Sequence, residues 1–573
     1  MRTISIGAQG FEFLRENNCF YVDKTDFIKE WWEYKDIVTL ITRPRRFGKT
    51  LNMDTLNCFF SNKYADRAEL FEGLNIWKEE KYRKLQGTYP VIFLSFAGVK
   101  QNTYADARTM INELLVKLFI PYERMLKEER FTEKDREFYR QVSGEMNDAT
   151  ATLTLNTLCE WAYRYYGKKC ILLLDEYDTP LQEAYVNGFW EEMAAYIRAL
   201  FNNTFKTNPY LERAIMTGIT RVSKESIFSD LNNLKVVTTT SDKYATAFGF
   251  TEDEVFGALD EFGLSDKKEL VKKWYDGFTF GTVEDIYNPW SITSYLDDKK
   301  FAPYWANTSS NSLIGLLIRH GKIEVKQTME NLLHGGFVET PLEEDVVFNQ
   351  LDMKEEALWS LMMASGYLKI IGITEEPETF RKTYRLTLTN FEVKIMFENL
   401  IADWFADPEV PYNEFIRAMQ AASLREMNIY MNEILLEMVS SFDGGNKPSE
   451  KLHPERFYHG LVLGLMATER KYEVRSNGES GYGRYDITMV PKDTVREKEK
   501  NLPSFVIEFK LFNPDAPDYE KTLEDTAKRA LEQIEEKAYD TAILSRGIPK
   551  EQIYHYGFGF EGKKVFIGTD RQQ

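Results

Sequence analysis

Four short apolar segments near the start of the chain restrict its fold more than any other feature of the sequence. They are Ile37–Ile41, Val91–Phe96, Ile171–Leu174 and Ala214–Thr217, and apolar residues fill most successive positions in each. Such runs are typical of strands that are buried on both faces of a parallel sheet. The intervening segments are long enough for crossover helices. The sequence therefore predicts a doubly wound α/β domain over residues 1–235.

The remaining residues change pattern three times. Helical patterns dominate residues 236–405, where a helix near Ala357–Met363 precedes two β-like runs, an order typical of a lid and a winged-helix-like region. Residues 406–448 form a predicted helical linker, and residues 449–573 return to a mixed α/β pattern. We expect these four regions because 573 residues exceed the size of a single domain.

The charge of the chain argues against some classes of partner. There are 72 basic and 90 acidic residues, a formal net charge of −18, which disfavours a protein that coats nucleic acid or anionic membrane by its overall field. Residues 441–573 carry 21 basic and 23 acidic side chains, so the acidity belongs to the earlier regions. A local groove for nucleic acid in the last region remains open, with weak and salt-sensitive affinity.

Cysteine usage and hydropathy predict a cytoplasmic protein without a membrane partner. No secretory signal opens the sequence, and no apolar run approaches the length of a membrane span. The cysteines are scattered and do not form C-x-x-C pairs, so we expect reduced thiols. They are Cys19, Cys58, Cys159 and Cys170.

The first candidate site follows the first predicted strand. Residues Thr42–Thr50 read T-R-P-R-R-F-G-K-T and lead into a helical pattern, which is the strand–loop–helix order of a P-loop. In a P-loop, backbone N–H groups bind phosphates, the lysine adds a positive charge and the hydroxyl ligates Mg²⁺. The match is partial because Arg43 stands where the usual pattern has its first glycine. The predicted nucleotide-binding residues here are Arg45, Arg46, Phe47, Gly48, Lys49 and Thr50.

Two acids at the end of a later apolar strand complete this prediction. Asp175 would hold Mg²⁺ together with Thr50, and Glu176 would polarise the attacking water. Thr217 ends the next strand and Arg221 follows it, so this pair either senses the γ-phosphate or belongs to a hydrogen-bonded turn. Both halves in this order predict binding of ATP and Mg²⁺.

The second candidate site lies in the last region. Asp486 begins one predicted strand, and Glu508 and Lys510 share one face of another, since side chains two apart in a strand point the same way. A hairpin would bring Asp486 beside Glu508. Two carboxylates and a backbone carbonyl suit Mg²⁺ or Mn²⁺, with Lys510 holding the nucleophile or neutralising charge. This pattern predicts a metal-dependent nuclease site with Asp486, Glu508 and Lys510 as catalytic residues.

The motifs together resemble a known family. The chain resembles the AAA-ATPase-like family of bacterial proteins, whose members commonly carry a C-terminal PD-(D/E)XK nuclease-superfamily domain. The resemblance spans nearly the whole chain. It implies that residues 1–235 form an AAA-like P-loop ATPase core, followed by a lid or winged-helix region and a restriction-endonuclease-like domain. The loop R-P-R-R-F-G-K-[ST] is the usual form in that family, Arg43 included. The other segments that carry the resemblance are Tyr21–Thr25, Leu174–Asp178, Trp274–Phe278 and Tyr287–Ser291.

The resemblance also implies further residues around the second site. Glu455, on a preceding helical pattern, occupies a position that can supply another metal ligand. Gln533 and Tyr539 resemble the helix that follows the site in such nucleases. Glu479 is a weaker candidate, for which a solvated loop acid is the alternative.

Three functions fit these patterns. The first is an ATP-controlled nuclease acting on nucleic acid, with DNA expected before RNA. The second is a nucleotide-dependent signalling or binding switch, in which the nuclease-like domain only binds nucleic acid or a protein partner. The third is a mechanical ring remodeller, which needs oligomerisation and a subunit-bridging arginine such as Arg213 or Arg221.

Overall fold

The chain divides into two units in its computed structural model. The first unit comprises residues 1–321 and 331–396, and the second comprises residues 322–330 and 397–573. The residues that the structure describes are 2–220, 227–228, 231–306, 314–315, 317–318, 323–333, 335–342, 354–404, 412–440, 462, 466, 471–476, 479–496, 501–512, 521–561 and 564–571.

A five-stranded parallel sheet forms the centre of the first unit. Its order is β2-β3-β4-β1-β5, and all its neighbours are parallel. Every residue of β1 and β3 is buried, as their unbroken apolar runs predict. This sheet confirms the predicted α/β fold and adds β5 to the four predicted strands. The strands are β1 Val38–Thr42, β2 Val91–Ser95, β3 Cys170–Asp175, β4 Leu211–Gly218 and β5 Leu234–Val237.

Helices join these strands and cover the sheet. The helix that precedes β3 shows how the sequence sets the ends of such a helix. Asn147 accepts the backbone N–H of Thr150 and caps a 19-residue helix, which ends at Gly167 with a φ of +70°. The helices up to β4 are Phe11–Glu16, Asp26–Tyr34, Lys49–Phe60, Glu80–Arg83, Tyr104–Phe119, Glu133–Gln141, Asp148–Tyr166, Thr179–Asn187 and Trp190–Phe205. Short 3₁₀ turns are Asn62–Tyr64, Ala68–Phe71, Asn75–Lys78, Ile120–Tyr122 and Met125–Lys127.

Two small antiparallel sheets follow in the first unit. One has the order β6-β8-β7 and the other β10-β11-β9. The helix Glu355–Ala364 precedes the β10–β11 hairpin, in agreement with the predicted helix and β pair. The strands are β6 Phe250–Thr251, β7 Phe278–Phe280, β8 Val283–Tyr287, β9 Val338–Thr340, β10 Leu368–Glu375 and β11 Lys382–Leu388. The other helices are Glu252–Glu261, Ser265–Lys267 (3₁₀), Lys268–Tyr275 and Pro289–Asp298.

The second unit contains a mixed five-stranded sheet. Its order is β12-β15-β16-β17-β18, with β16 and β17 parallel and the other neighbours antiparallel. The strands of this sheet are β12 Tyr472–Ser476, β15 Ile487–Pro491, β16 Ser504–Leu511, β17 Ile553–Glu561 and β18 Lys564–Thr569. A separate two-stranded sheet consists of β13 Glu479–Ser480 and β14 Gly483–Arg484. The helices are Tyr412–Gln420, Leu424–Ser440, Asp493–Arg496, Leu523–Lys537, Thr541–Ser545 and Lys550–Gln552 (3₁₀), while Ile323–Leu333 and Phe391–Trp404 belong partly to each unit.

Alternating glycines on β17 bring a helix close to this sheet. A Cβ atom on Gly557 would lie 2.2 Å from the carbonyl oxygen of Ala527, and one on Gly559 would lie 2.6 Å from that of Leu523. Both contacts are shorter than van der Waals distance, so only glycine fits there. The helix Leu523–Lys537 is thereby held directly over β16 and β17.

The helices described by the structure include none with the length and hydropathy of a membrane span.

Candidate functional sites

The loop between β1 and the following helix holds a buried lysine. Gly48 has a φ of +78° and precedes Lys49, the first helical residue. The ammonium of Lys49 donates to the carbonyl oxygens of Arg43 at 3.0 Å and Pro44 at 2.8 Å. Burial lowers the pKa of Lys49, and the nearby carboxylates, Glu176 first, oppose that shift. Two of the three ammonium N–H groups therefore fix the lysine beneath its own loop.

Two hydroxyl groups orient Asp175 at the end of β3. Thr50 donates to one carboxylate oxygen at 2.8 Å, and Thr217 donates to the other. The three residues meet because β4, which carries Thr217, lies between β1 and β3. Burial raises the pKa of Asp175, while the two hydroxyl donors act in the opposite direction. The structure thus brings together three of the predicted nucleotide-site residues.

Glu176 adopts a strained backbone beside this group. Its φ is +53°, a left-handed value that costs a non-glycine residue about 1–3 kcal/mol. Its N–H donates to the Thr217 hydroxyl at 3.5 Å, and its side chain accepts from Thr179 at 3.2 Å. Such strain is concentrated at functional sites, and the carboxylate that follows this backbone is half-buried.

Arg43, at the position of the missing glycine, is fully buried. Its guanidinium donates to the carbonyl oxygen of Thr238 at 2.7 Å and more weakly to those of Lys243 and Tyr244 at 3.4 Å. The ring of Phe280 lies 4.5 Å from the guanidinium carbon. Burial lowers the pKa of Arg43 to about 9. Arg43 therefore ties the start of the loop to the segment that follows β5.

The motif around Asn288 supports the outer part of the loop. Asn288 donates to the carbonyl oxygen of Arg45 at 3.2 Å, and its own side-chain oxygen caps the helix Pro289–Asp298. The guanidinium carbon of Arg46 lies 4.5 Å from the ring centre of Trp290. The motif Tyr287–Ser291, which suggested no chemistry in the sequence, therefore shapes the loop.

A polar network connects the loop to the turn after β4. Arg45 donates to Gln182 at 3.4 Å, and Gln182 donates to Asp178 at 2.9 Å. The same oxygen of Asp178 accepts the backbone N–H groups of Ile219 at 2.9 Å and Thr220 at 3.0 Å. Sequence reasoning did not single out Asp178 or Gln182 individually, although Asp178 belongs to the segment Leu174–Asp178 that carries the family resemblance.

Phe47 packs between the rings of Phe278 and Phe280, with ring centres 4.8 and 5.4 Å away. It therefore anchors the loop through apolar contact. Arg221 lies outside the residues that the structure describes.

The second group of predicted residues meets in the C-terminal sheet. Glu508 lies on β16 with 2% of its surface exposed, and Lys510 donates to its Oε1 at 2.9 Å. Asp486 lies just before β15 and accepts the backbone N–H of Phe509 at 2.8 Å. The antiparallel pairing of β15 with β16 brings the two carboxylates together.

One oxygen of Glu508 is buried without a hydrogen-bond partner among the described residues. Burial and, after it, the charge of Asp486 raise the pKa of Glu508 to about 7. A buried acceptor left in this state is costly, and a hard divalent cation would satisfy it. The described residues contain no group of three or more His, Cys, Asp or Glu side chains placed to hold a metal. Asp486 and Glu508 thus fit such a cation as a pair of acidic ligands.

Gln533 contacts this pair from the helix Leu523–Lys537. Its amide donates to Oε1 of Glu508 and, at 2.9 Å, to the hydroxyl of Tyr539. Glu479 lies on β13, opposite Arg484 in the β13–β14 hairpin. Glu455 lies outside the described residues. The structure therefore joins Asp486, Glu508, Lys510 and Gln533 in one site.

Comparisons with known proteins match two separate parts of the chain, and each part contains one of the two candidate sites. Residues 5–228 match the sequence model of the AAA-ATPase-like family, described as a predicted AAA-ATPase. Residues 453–570 match the model of the PD-(D/E)XK nuclease superfamily. A relative from Azotobacter chroococcum mcd 1, called an uncharacterized protein in the vnfD 5′ region, is 25% identical over 561 residues. That alignment covers 96% of this chain and 95% of the relative. The chain therefore combines an N-terminal AAA-ATPase-like domain with a C-terminal domain of the PD-(D/E)XK nuclease superfamily.

Proposed function

We propose that this protein is an ATP-dependent nuclease, in which the N-terminal domain hydrolyses ATP and the C-terminal domain cleaves a phosphodiester bond. The observation that carries the proposal is the buried Glu508 carboxylate, which lies beside Asp486 and Lys510 and has one oxygen without a partner among the described residues. A sheet interior tolerates such a group poorly unless it serves a ligand.

The N-terminal residues fit the binding and hydrolysis of ATP. Two N–H groups of Lys49 fix its position. Its third would donate to a β- or γ-phosphate oxygen. Thr50 and Asp175 would hold the Mg²⁺ that accompanies the nucleotide. Glu176 polarises the attacking water, and Thr217 keeps Asp175 and the backbone of Glu176 in register. Arg45, Arg46 and Arg221 are proposed to contact phosphates.

The C-terminal residues fit hydrolysis of a phosphodiester. Asp486 and Glu508 would hold Mg²⁺ or Mn²⁺, which supplies Lewis acidity when bound, and Glu455 is proposed as a further ligand. Lys510 neutralises charge at the scissile phosphate and orients the water that attacks it. Gln533 fixes the rotamer of Glu508 by donating to its Oε1.

A cleavage and ATPase panel on the full chain tests the proposal. Wild type is incubated with single- and double-stranded DNA and RNA, with Mg²⁺ or Mn²⁺ and with or without ATP. Lys510→Ala should abolish cleavage and leave phosphate release from ATP intact, whereas Lys49→Ala should abolish phosphate release. Lys564→Ala, an exposed lysine on β18 of the same sheet, is the matched control and should retain both activities.

The outcomes separate this function from a switch. Cleavage that ATP changes and that Lys510→Ala loses supports the proposal, and DNA is the substrate expected to be cut first. Binding of nucleic acid with no cleavage under any condition would replace it by the nucleotide-dependent binding switch. Cleavage that survives Lys510→Ala would refute the assigned site.

A further inference from the structure

One aromatic side chain beside the nuclease-like site is strongly exposed. Tyr482 has 84% of its surface accessible, the largest fraction among the exposed large apolar and aromatic residues that the structure describes. It lies at the tip of the β13–β14 hairpin, in a two-residue loop with Gly481. An exposed tyrosine by itself is ordinary, so the support beneath it is what matters.

The hairpin that presents Tyr482 is fixed to the protein on several sides. The N–H of Tyr482 donates to the carbonyl oxygen of Lys537 at 2.8 Å. Gly481 has a φ of +58°, and a Cβ there would lie 2.2 Å from the same carbonyl oxygen. Ser480 accepts the N–H of Ala542 at 3.0 Å. The backbone of the loop is therefore held close to the end of the helix Leu523–Lys537, while the tyrosine ring points outward.

The same hairpin borders the carboxylate site. A Cβ on Gly483 would lie 3.4 Å from the Tyr539 hydroxyl, which accepts from Gln533, and Gln533 donates to Glu508. These contacts place Gly483 within about 10 Å of the Glu508 carboxylate, or about three base steps of 3.4 Å along one strand. Tyr482 is the next residue along this hairpin, so its exposed ring lies within a few nucleotides of a phosphate bound at Glu508.

We propose that Tyr482 stacks on an unpaired base a few nucleotides from the cleaved phosphodiester, so that the C-terminal domain binds single-stranded or locally opened nucleic acid. This inference rests on the proposed nuclease function. A rigid, exposed aromatic ring is the group that single-strand-binding proteins use for stacking, and such stacking tolerates any base sequence. It also suits a nearly neutral domain, because stacking adds affinity that does not come from phosphate contacts.

Binding of labelled oligonucleotides by the full chain tests the inference. The Lys510→Ala protein serves as a cleavage-deficient parent, and fluorescence anisotropy is measured with a fluorescein-labelled single-stranded DNA. Adding Tyr482→Ala should weaken binding about 5- to 150-fold. Tyr482→Phe and Tyr482→Trp should restore it, since both keep a stacking ring. The control Phe380→Ala removes another aromatic ring, 75% exposed, from the turn between β10 and β11, and should leave binding unchanged.

An abasic oligonucleotide separates stacking from other effects. With abasic sites along its length, the parent and the Tyr482→Ala protein should bind equally, since no base is present to stack. An equal penalty on both oligonucleotides, or no penalty on either, would overturn the role of Tyr482 while wild-type cleavage still supports the nuclease. Wild type that neither binds nor cuts any nucleic acid would overturn both proposals.

A second measurement does not depend on the folding of the alanine variant. 2-Aminopurine is placed at successive positions of the oligonucleotide and its fluorescence is recorded with the Lys510→Ala parent. Quenching at one or two positions that Tyr482→Phe preserves supports stacking. Uniform fluorescence at all positions would contradict it.

Discussion

The two candidate sites handle buried charge in opposite ways. In the N-terminal site a buried ammonium, Lys49, is held by backbone carbonyls, and the neighbouring Asp175 is held by hydroxyls. In the C-terminal site a buried carboxylate, Glu508, faces a second carboxylate and keeps one oxygen without a partner among the described residues. The first arrangement suits an arriving anion such as a triphosphate, and the second suits an arriving cation. Each site thus presents charge opposite in sign to that of the ligand it suits.

Removing the lysine of either site should give the largest effects on activity. Lys49→Ala should lower ATP turnover about 10³-fold or more, because an electrostatic contact to the transferred phosphoryl group is lost. Lys510→Ala should lower cleavage by a similar factor and leave ATP turnover unchanged. Phosphate release and gel-based cleavage are measured on both proteins. Loss of ATP turnover in Lys510→Ala would show that the two sites do not work separately.

Restoring the common glycine of a P-loop should harm this protein. Arg43→Gly removes the donor to four backbone carbonyls, that of Thr42 included, and leaves a cavity, so we expect a loss of about 2–4 kcal/mol in the free energy of unfolding. Chemical denaturation measures it. Arg46→Gly is the matched control, since Arg46 is exposed with a φ of +64° that suits glycine. Equal stability of the two variants would refute the anchoring role of Arg43.

Loosening Glu508 without removing it should have a smaller effect. Gln533→Ala deletes the amide that donates to Glu508 and Tyr539, and we expect cleavage to fall about 10- to 100-fold. The Mn²⁺ concentration that gives half-maximal cleavage should rise in the same variant. Glu532→Ala, an exposed neighbour on the same helix, should change neither quantity. An unchanged Mn²⁺ concentration for half-maximal cleavage in Gln533→Ala would contradict the positioning role.

The buried carboxylate of Glu392 extends this comparison, because its protonation should make stability depend on pH. Burial raises the pKa of Glu392 to about 7, yet Ser291 and the backbone N–H groups of Trp305 and Ala306 donate to it. Its pKa is higher in the folded state than in the unfolded state, so stability should fall as pH rises from about 4.5 to about 7, by at most about 1.4 kcal/mol per pH unit. Denaturation at several pH values should show a flatter profile for Glu392→Gln. A profile identical to wild type would contradict this titration.

The sequence predicted the elements whose signals are local. β1, β3 and β4 follow from apolar runs. Lys49 follows from the G-K-T motif that precedes a helix, and Asp175 follows from its place at the end of a strand. Glu508 and Lys510 share a strand face, which a period of two reveals. Their convergence with Asp486 followed from a predicted hairpin, and the structure contains the pairing of β15 with β16.

Contacts between distant segments could not be predicted in this way. Arg43 reads as a departure from a motif, because the carbonyls it contacts lie about 200 residues later in the chain. Asp178 likewise meets the turn after β4, and Asn288 meets Arg45, only through tertiary packing. Such contacts have no period or spacing that a single sequence displays.

The buried Arg43 also changes how the phosphate loop can move. In an ordinary P-loop this position is a glycine, which has no side chain to anchor it, whereas here Arg43 is hydrogen-bonded to residues 238–244 and stacked on Phe280 of β7. The same residue offers one of the two carbonyl oxygens that accept from Lys49, so the position of this ammonium depends on the contacts of Arg43. We therefore expect nucleotide affinity to change on substitution of Phe280, although this residue of the β6-β8-β7 sheet contacts the loop through Arg43 and Phe47 and not through the nucleotide.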